Sequence, residues 1–458
     1  MSAPLWTSDA IAAATGGVAS APFAVSGVTF DSREVGPGDL FVALKGEHTD
    51  GHRYVEQALT QGATGLIVSE PRPGTPHVQV ADTQAALETL GRAARARLAP
   101  TACVVGVTGS AGKTSVKQAL FDTFMRAGRA HASVKSYNNH TGVPFSLARM
   151  PADTERAVFE MGMNHAGEIA ALTAQVRPDV ALITTIAPAH IENFPDGEAG
   201  IADAKAEIFL GLERGGRAIL PFDSPYYARL RAAVNAGGHQ VIGFGLGERA
   251  QVRGIELMEG SDGSSFTVEI GGKQMRARIG MPGRHHVLNA LAVIATAQAA
   301  GVNPALAIET LATASALPGR GQRLTIRVRG GGEATILDES YNANPASMAA
   351  ALGVLADATA PRKIAVLGGM RELGARAPVY HAALVPALID AGVAHAVLVG
   401  EETRPIAERF AAATWTADWH AALEAARATI RAGDLVLVKG SNGIGLGNLV
   451  AALTIMED

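Results

Sequence analysis

"VTGSAGKTSV", residues 107–116, follows the apolar run Ala102–Val105, and its reading decides the fold. Glycine here lets backbone N–H groups approach a phosphate with no Cβ in the way, and a helix opening at the same point adds the favourable end of its dipole. Lys113 would reach the β- and γ-phosphates of a nucleotide, and the Thr114 hydroxyl would hold Mg2+. The motif is shorter than the usual phosphate loop, because the position of its first glycine is Val107. Thr108, Gly109, Ser110, Ala111, Gly112, Lys113, Thr114 and Ser115 are together assigned to the nucleotide. A strand that ends in such a loop and opens a helix predicts a parallel α/β sheet.

Outward from this point the chain separates into three regions by texture. Residues 1–97 mix short strands ("DLFVAL", "TGLIVS") with short helices, around a polar turn "SEPRPGTP". Residues 98–315 alternate strand and helix: "TACVVGV", a helix after Lys113, "RAVFEMG", a helix from Gly167, "DVALITTI", then a long loop. Within them, residues 240–280 ("VIGFG…VRGIEL…SSFTVEI…MRARIG") read as a small antiparallel insertion. From "LPGRGQR", residues 316–458 repeat the alternation through "ATILD", "KIAVLGG", "HAVLVG" and "DLVLVKG", with helices near Met348, His381 and Ala411. This predicts a smaller doubly wound, Rossmann-like sheet whose ligand lies beyond the strand ends. The fold class is α/β in three domains.

Bulk properties narrow the function. In 458 residues, 48% are hydrophobic and 18% charged, an ordinary composition for a globular protein. A net charge of −4 gives no electrostatic case for a nucleic-acid partner. The one cysteine, Cys103, rules out an intramolecular disulfide and a Cys-based zinc site. "MSAPLWTSDAIAAATGG" has no basic start followed by an apolar core, so no secretory leader is expected. The uncharged stretch Val287–Ile308 is interrupted by Gly301 and Pro304 and reads as a buried helix and turn. A cytoplasmic protein without membrane insertion is expected.

Several polar residues stand where such a sheet collects its ligands. Glu160 ends the apolar strand "AVFEMG", where a carboxylate faces the nucleotide crevice and offers oxygen to Mg2+, or is a solvated strand-end charge. His190, in "TTIAPAHIENF", follows the next strand as a second metal ligand or an ordinary loop histidine. Lys205, in "DAKAEIF", is placed at the start of a helix returning over the site. Arg320 and Arg323, in "LPGRGQR", supply planar cations for a phosphate that spreads charge as it leaves. Asp338, in "ILDESYNANP", would accept from ribose hydroxyls, or else caps a turn.

These stretches resemble the Mur ligases, ATP-dependent amide-forming enzymes of peptidoglycan synthesis. "TGSAGKTS", "EMGMNHAGEI", "APAHIENF", "DAKAEIF", "GRHHVLNALAV", "PGR" and "LDESYNANPASM" carry the resemblance in family order over nearly the whole chain. "FDSREVGPGDLFVALKGEHTDGHRYVEQALTQGATGLIVS" is similar to the family's UDP-binding domain. "SYNNHTGVPFSL", "YNANPASM" and "LGGMRELG" point to the type that adds a terminal dipeptide.

The resemblance implies roles as well as a fold. Lys113 and Thr114 would hold ATP phosphates and a first Mg2+, while Glu160 and His190 would hold a second. Lys205 matches a lysine that the family carbamylates with CO2. Asn289 would meet the adenine side, Arg320 the phosphates and Asp338 the ribose, with Tyr341, Asn342 and Asn344 near the ATP and dipeptide end. Ser32, Arg33, Lys45, Gly46 and the Asp50–His52 turn would engage the uridine nucleotide, and Asn138, Asn139 and Thr141 the muramoyl-peptide. The implied substrates are UDP-N-acetylmuramoyl-tripeptide and D-alanyl-D-alanine, joined by a monomeric enzyme through an acyl phosphate.

There are departures from the family's pattern. His286 stands where it often has asparagine, "KGSNGIGL" lacks an arginine after KGS so that Asn442 receives no role, and Arg320 is preferred to Arg323 on position. Two other readings use the same residues. One is a sister ligase adding diaminopimelate, lysine or glutamate; the other is a phosphate-loop switch that binds nucleotide and makes no amide.

Overall fold

The computed structural model describes residues 3–46, 49–260 and 263–455. Its centre is a nine-stranded sheet in the order Lys273–Ile279, Gly263–Ile270, Val252–Gly260, Gln240–Gly245, Arg217–Pro221, Val180–Ile183, Cys103–Thr108, Arg156–Glu160, Ala130–Ala132. Val104, Phe159, Ala181 and Ile183 pack into one apolar cluster, while Val105, Val107, Val158 and Leu182 pack into another. Both faces are therefore covered. That is why these strands read as unbroken apolar runs and not as alternating ones.

After Cys103–Thr108 the chain runs to the edge strand Ala130–Ala132, returns through Arg156–Glu160, and then crosses to Val180–Ile183 on the opposite side. The reversal opens a crevice beyond the C-terminal ends of these strands. The phosphate loop, Glu160 and the Thr184–His190 segment all leave the sheet at that edge.

The segment "VIGFG" departs from expectation. Gln240–Gly245 pairs in parallel with Arg217–Pro221, and only Val252–Ile279 is antiparallel. Those antiparallel strands extend the central sheet, so a continuous hydrogen-bonded ladder covers what its glycine-rich turns suggest is separate.

A second sheet, Gln322–Arg327, Glu333–Glu339, Asp434–Lys439, Arg362–Gly368, Val393–Val399, Ala413–Thr416, is parallel except at its first pair. The expected helices near Met348 and His381 are Pro345–Asp357 and Ala377–Ala382. Near Ala411 there is instead the strand Ala413–Thr416, preceded by the short helix Arg404–Ala407. Its β-branched threonines pair along Val393–Val399, and this outweighs the local alanine content. The uncharged stretch Val287–Ile308 forms parts of two helices, Arg284–Ala299 and Pro304–Thr313. No helix among the described residues is long and apolar enough to cross a membrane.

The N-terminal unit holds the sheet Val18–Ala19, His77–Gln79, Gly65–Val68, Asp39–Val42, Gly27–Thr29 and a separate pair, Trp6–Thr7 with Ala24–Val25, and is fastened to the central unit by polar contacts. Trp6 Nε1 donates to the Ala148 carbonyl at 2.8 Å, and Arg97 stacks on Trp6 at 3.8 Å. The same guanidinium donates to the carbonyls of Leu5 at 2.7 Å and Met150 at 2.6 Å.

Candidate active site

The phosphate loop adopts backbone conformations that glycine accommodates: φ is +150° at Gly109 and +80° at Gly112. The helix Lys113–Ala127 starts directly after Gly112. A Cβ at Gly112 would meet Asn289 Oδ1 at 2.6 Å, so only glycine lets the loop lie against that asparagine. Ser110 Oγ donates to the Ala187 carbonyl at 2.8 Å, and Thr184 Oγ1 donates to the Ala111 carbonyl at 2.5 Å. The loop is thus held in shape by the neighbouring strand's exit.

Thr114 Oγ1 donates to Glu160 Oε2 at 2.8 Å, and Asn138 Nδ2 donates to Glu160 Oε1 at 2.8 Å. Glu160 is only 1% exposed. A buried carboxylate beside a hydroxyl is a hard-oxygen donor set, and it fits Mg2+. Lys113 is half-buried, with its ammonium donating to the Gly109 carbonyl at 2.7 Å. Burial lowers its pKa, Glu160 opposes that, and Arg320 adds to it. Arg320 therefore lies within electrostatic reach of the loop, and its guanidinium stacks on Tyr341 at 3.9 Å. Arg323 instead lines a cavity with Pro282, Gly283 and Val354.

Lys205 is 2% exposed, and burial followed by the charge of Lys113 holds its pKa well below the ordinary lysine range. It sits in the last turn of the helix Glu198–Ala206, not at a helix start. Gly197, with φ +60°, precedes that helix and sets its beginning seven residues before the lysine's own turn ends it.

His190 has φ +56°, a left-handed conformation unusual for a residue with a side chain, and its Nδ1 touches Glu372 Oε2. Burial lowers its pKa, Glu372 opposes that, and Lys113 and Lys205 reinforce it. A neutral imidazole is the form that ligates a metal.

The second sheet reaches the same crevice. Asn344 caps the helix Pro345–Asp357 and donates from Nδ2 to the Ser110 carbonyl at 3.1 Å. Tyr341 OH pairs with Ser136 Oγ. Asp338 is buried, and its two oxygens accept from the backbone N–H groups of Gly319 at 2.9 Å and Ser340 at 3.0 Å. This is the turn-capping geometry, on the carboxylate that was assigned to ribose. Asn342 Oδ1 accepts from Ala343 N at 2.8 Å. His286 stands with His285 and Glu339, but the Lys439 ammonium already lies 3.2 Å from Glu339. Burial lowers the His285 and His286 pKa values to about 3 and about 4.

The residues assigned to uridine gather on the N-terminal sheet, largely bonded to one another. Ser69 N donates to His52 Nε2 at 2.9 Å, leaving Nδ1–H to donate to Asp50 at 2.7 Å. Lys45 bridges to Asp50 through the backbone, and Gly46 N donates to the Thr49 carbonyl at 2.9 Å. Ser32 Oγ donates to Gln57 Oε1 at 3.0 Å, and Arg33 pairs with Asp31 at 2.7 Å. Asn139 Oδ1 accepts from Gly142 N at 2.9 Å and Thr141 Oγ1 donates to Gln84 at 3.2 Å, whereas Asn138 joins Glu160.

Three participants escaped the sequence reading. Lys117, one helical turn after Lys113, is buried and donates to the Ser133 and Lys135 carbonyls at 3.2 and 2.9 Å. Ser133 Oγ accepts from Glu160 N at 2.9 Å. The i, i+4 spacing from Lys113 was a signal for Lys117, whereas Glu372 had none.

Comparison with known proteins places the whole chain. Residues 24–98 match the Mur ligase family catalytic domain, 107–297 the Mur ligase middle domain, and 319–442 the Mur ligase glutamate ligase domain. The UDP-N-acetylmuramoyl-tripeptide–D-alanyl-D-alanine ligase of Escherichia coli (strain K12) is 34% identical over 96% of this chain and 96% of its own length. A crystal structure of MurF from Acinetobacter baumannii superposes with a TM-score of 0.86 at 30% identity, covering 99% of each chain. MurF from Thermotoga maritima, in complex with ADP, superposes with a TM-score of 0.78 at 26% identity over 93% of this chain and 97% of its own. The chain belongs to the Mur ligase family and, within it, to the MurF type.

Proposed function

We propose that this protein joins D-alanyl-D-alanine to the terminal carboxylate of UDP-N-acetylmuramoyl-tripeptide, consuming ATP and releasing ADP and phosphate. What carries the reading is the 34% identity to the Escherichia coli ligase across 96% of both chains. In the first step a tripeptide carboxylate oxygen attacks the γ-phosphorus, and the bond to the β-phosphate oxygen breaks, giving an acyl phosphate and ADP. In the second, the dipeptide amine attacks the acyl carbon, loses a proton and expels phosphate, leaving the amide.

The protein's part is to position anions and neutralise them. Lys113 exchanges the Gly109 carbonyl for nucleotide phosphate, and Arg320 meets the charge that spreads as the phosphoryl group moves. Thr114 would hold a first Mg2+, and Glu160 and His190 a second, supplying charge neutralisation for the phosphates. Asn289 takes the adenine side, with Tyr341, Asn342 and Asn344 at the ATP and dipeptide end.

Lys205 is read as a carbamate. Its buried position favours the free amine, whose lone pair attacks CO2 and whose proton passes to solvent, leaving an anion within reach of the Lys113 charge. The division at residues 1–97, 98–315 and 316–458, the uridine and muramoyl-peptide contacts and a monomeric cytoplasmic enzyme belong to the same proposal. Incubation with ATP, Mg2+, UDP-tripeptide and D-alanyl-D-alanine should yield ADP and the UDP-pentapeptide together. ADP release only with a single amino acid as acceptor would favour a sister ligase.

A further inference from the structure

Glu372 belongs to the second sheet, yet its carboxylate lies in the crevice of the first. It follows the strand Arg362–Gly368, and its Oε2 touches Nδ1 of His190. The loop that carries it is built to hold it there. Met370 and Leu373, on either side, are buried, and Met370 N donates to His381 Nε2 at 2.8 Å. Arg371 N donates to Ser441 Oγ at 3.0 Å.

Between these anchors Glu372 takes φ +63°, and the His190 it faces takes φ +56°. Two residues with side chains, one from each sheet, are thus held in a left-handed conformation at a single point of contact. Such a conformation is disfavoured for a residue with a side chain and persists where the surroundings enforce it. The loops are also pressed together: a Cβ at Gly374 would lie 3.0 Å from Glu192 Cβ.

We propose that Glu372 is a positioning residue for His190. Its carboxylate faces Nδ1, which makes no aligned hydrogen bond in this crevice, and by taking the Nδ1 proton as the ring aligns it fixes the tautomer and leaves Nε2 as the nitrogen available to a divalent cation. A carboxylate behind a ligating histidine commonly serves this purpose. Here it comes from the other sheet, so the histidine is fully oriented only when the two sheets meet. The proposal rests on His190 being a ligand of the second divalent ion.

The test is Mn2+ binding to the full chain with saturating ADP, followed by electron paramagnetic resonance, together with the melting temperature. Glu372→Ala and Glu372→Gly should weaken one class of Mn2+ site by about ten- to a hundredfold. Glu372→Gly should at the same time melt no lower than wild type, since glycine adopts the left-handed conformation without cost. Unchanged Mn2+ affinities in both variants would overturn the proposal, as would weakened binding only in variants that also melt lower. His190→Ala separates this from its premise. If that variant loses the site while the Glu372 variants keep it, only the role of Glu372 fails. If it too keeps both sites, the ligand assignment of His190 fails.

Discussion

Thr114 and Glu160, 46 residues apart in the chain, meet at 2.8 Å beyond the strand ends of the central sheet. The hydroxyl comes from the first turn of a helix and the carboxylate from the last residue of a strand. Glu160 is buried and accepts from Asn138 as well, so its carboxylate is held in one place at the crevice. Glu160→Gln and Thr114→Val should each lower kcat for ligation by about a hundredfold or more, the usual loss when one preorganised electrostatic group is removed. Coupled ADP release and UDP-substrate titration check this: turnover should collapse and UDP-tripeptide affinity should stay near wild type.

Lys205 offers a sharper chemical test. Lys205→Ala should abolish ligation, leave UDP-tripeptide binding largely intact, and recover part of its activity when short carboxylates such as formate or acetate are added. Full activity without rescue would exclude the carbamate.

The sheet order around the phosphate loop was legible because parallel strands buried on both faces leave unbroken apolar runs, and "CVVGVT" and "RAVFE" are such runs. Glu160 was legible as the one charge closing its run. Lys205 was misread in its place along the helix because the start at Glu198 depends on Gly197 and on packing against the sheet, neither of which "DAKAEIF" reveals. Asp338 was legible as a ribose acceptor or a turn cap; its partner Ser340 N is local, but Gly319 N is one that only the folded hinge brings near. Glu372 was invisible for the same reason: its meaning lies in the approach of a second sheet.

Cys103 should be inert in the native protein. Burial, with Asp179 adding to it, pushes its thiol up to about 12, so almost no thiolate exists at neutral pH. A thiol reagent such as DTNB should react slowly with the folded chain and rapidly and stoichiometrically after denaturation.

Stability should fall on mild acidification. Burial lowers the His131 pKa to about 4 from its ordinary 6.5, and its Nε2 lies 2.7 Å from the Ser146 carbonyl. The neutral ring's contribution is complete above pH 6.5. Below that the unfolded chain takes up a proton that the native state refuses, and the loss grows until about pH 4, reaching on the order of 3 kcal/mol. Urea denaturation at pH 7, 5.5 and 4.5 should show the decline, and a His131→Gln variant should show a shallower one.

Asp434 is 3% exposed and takes two bonds from Arg362, at 2.9 and 2.6 Å, as well as Arg431 N at 2.7 Å. Asp434→Ala strands a guanidinium at the base of the second sheet and should cost about 3 kcal/mol in chemical denaturation. The nucleotide site lies at the opposite ends of those strands, so KM for ATP should move little.

The fastening of Trp6 to Ala148, and of Arg97 to both Leu5 and Met150, has a consequence for substrate choice. It ties the start of the N-terminal unit to the end of the helix Gly142–Ala148 in the central unit. On the function proposed above, a substrate held by its nucleotide on the N-terminal unit would reach the crevice across a distance that this tie helps to set. On that reading the tie would act as a ruler: a peptide one residue short would leave its carboxylate away from the γ-phosphate, and one residue long would overshoot it.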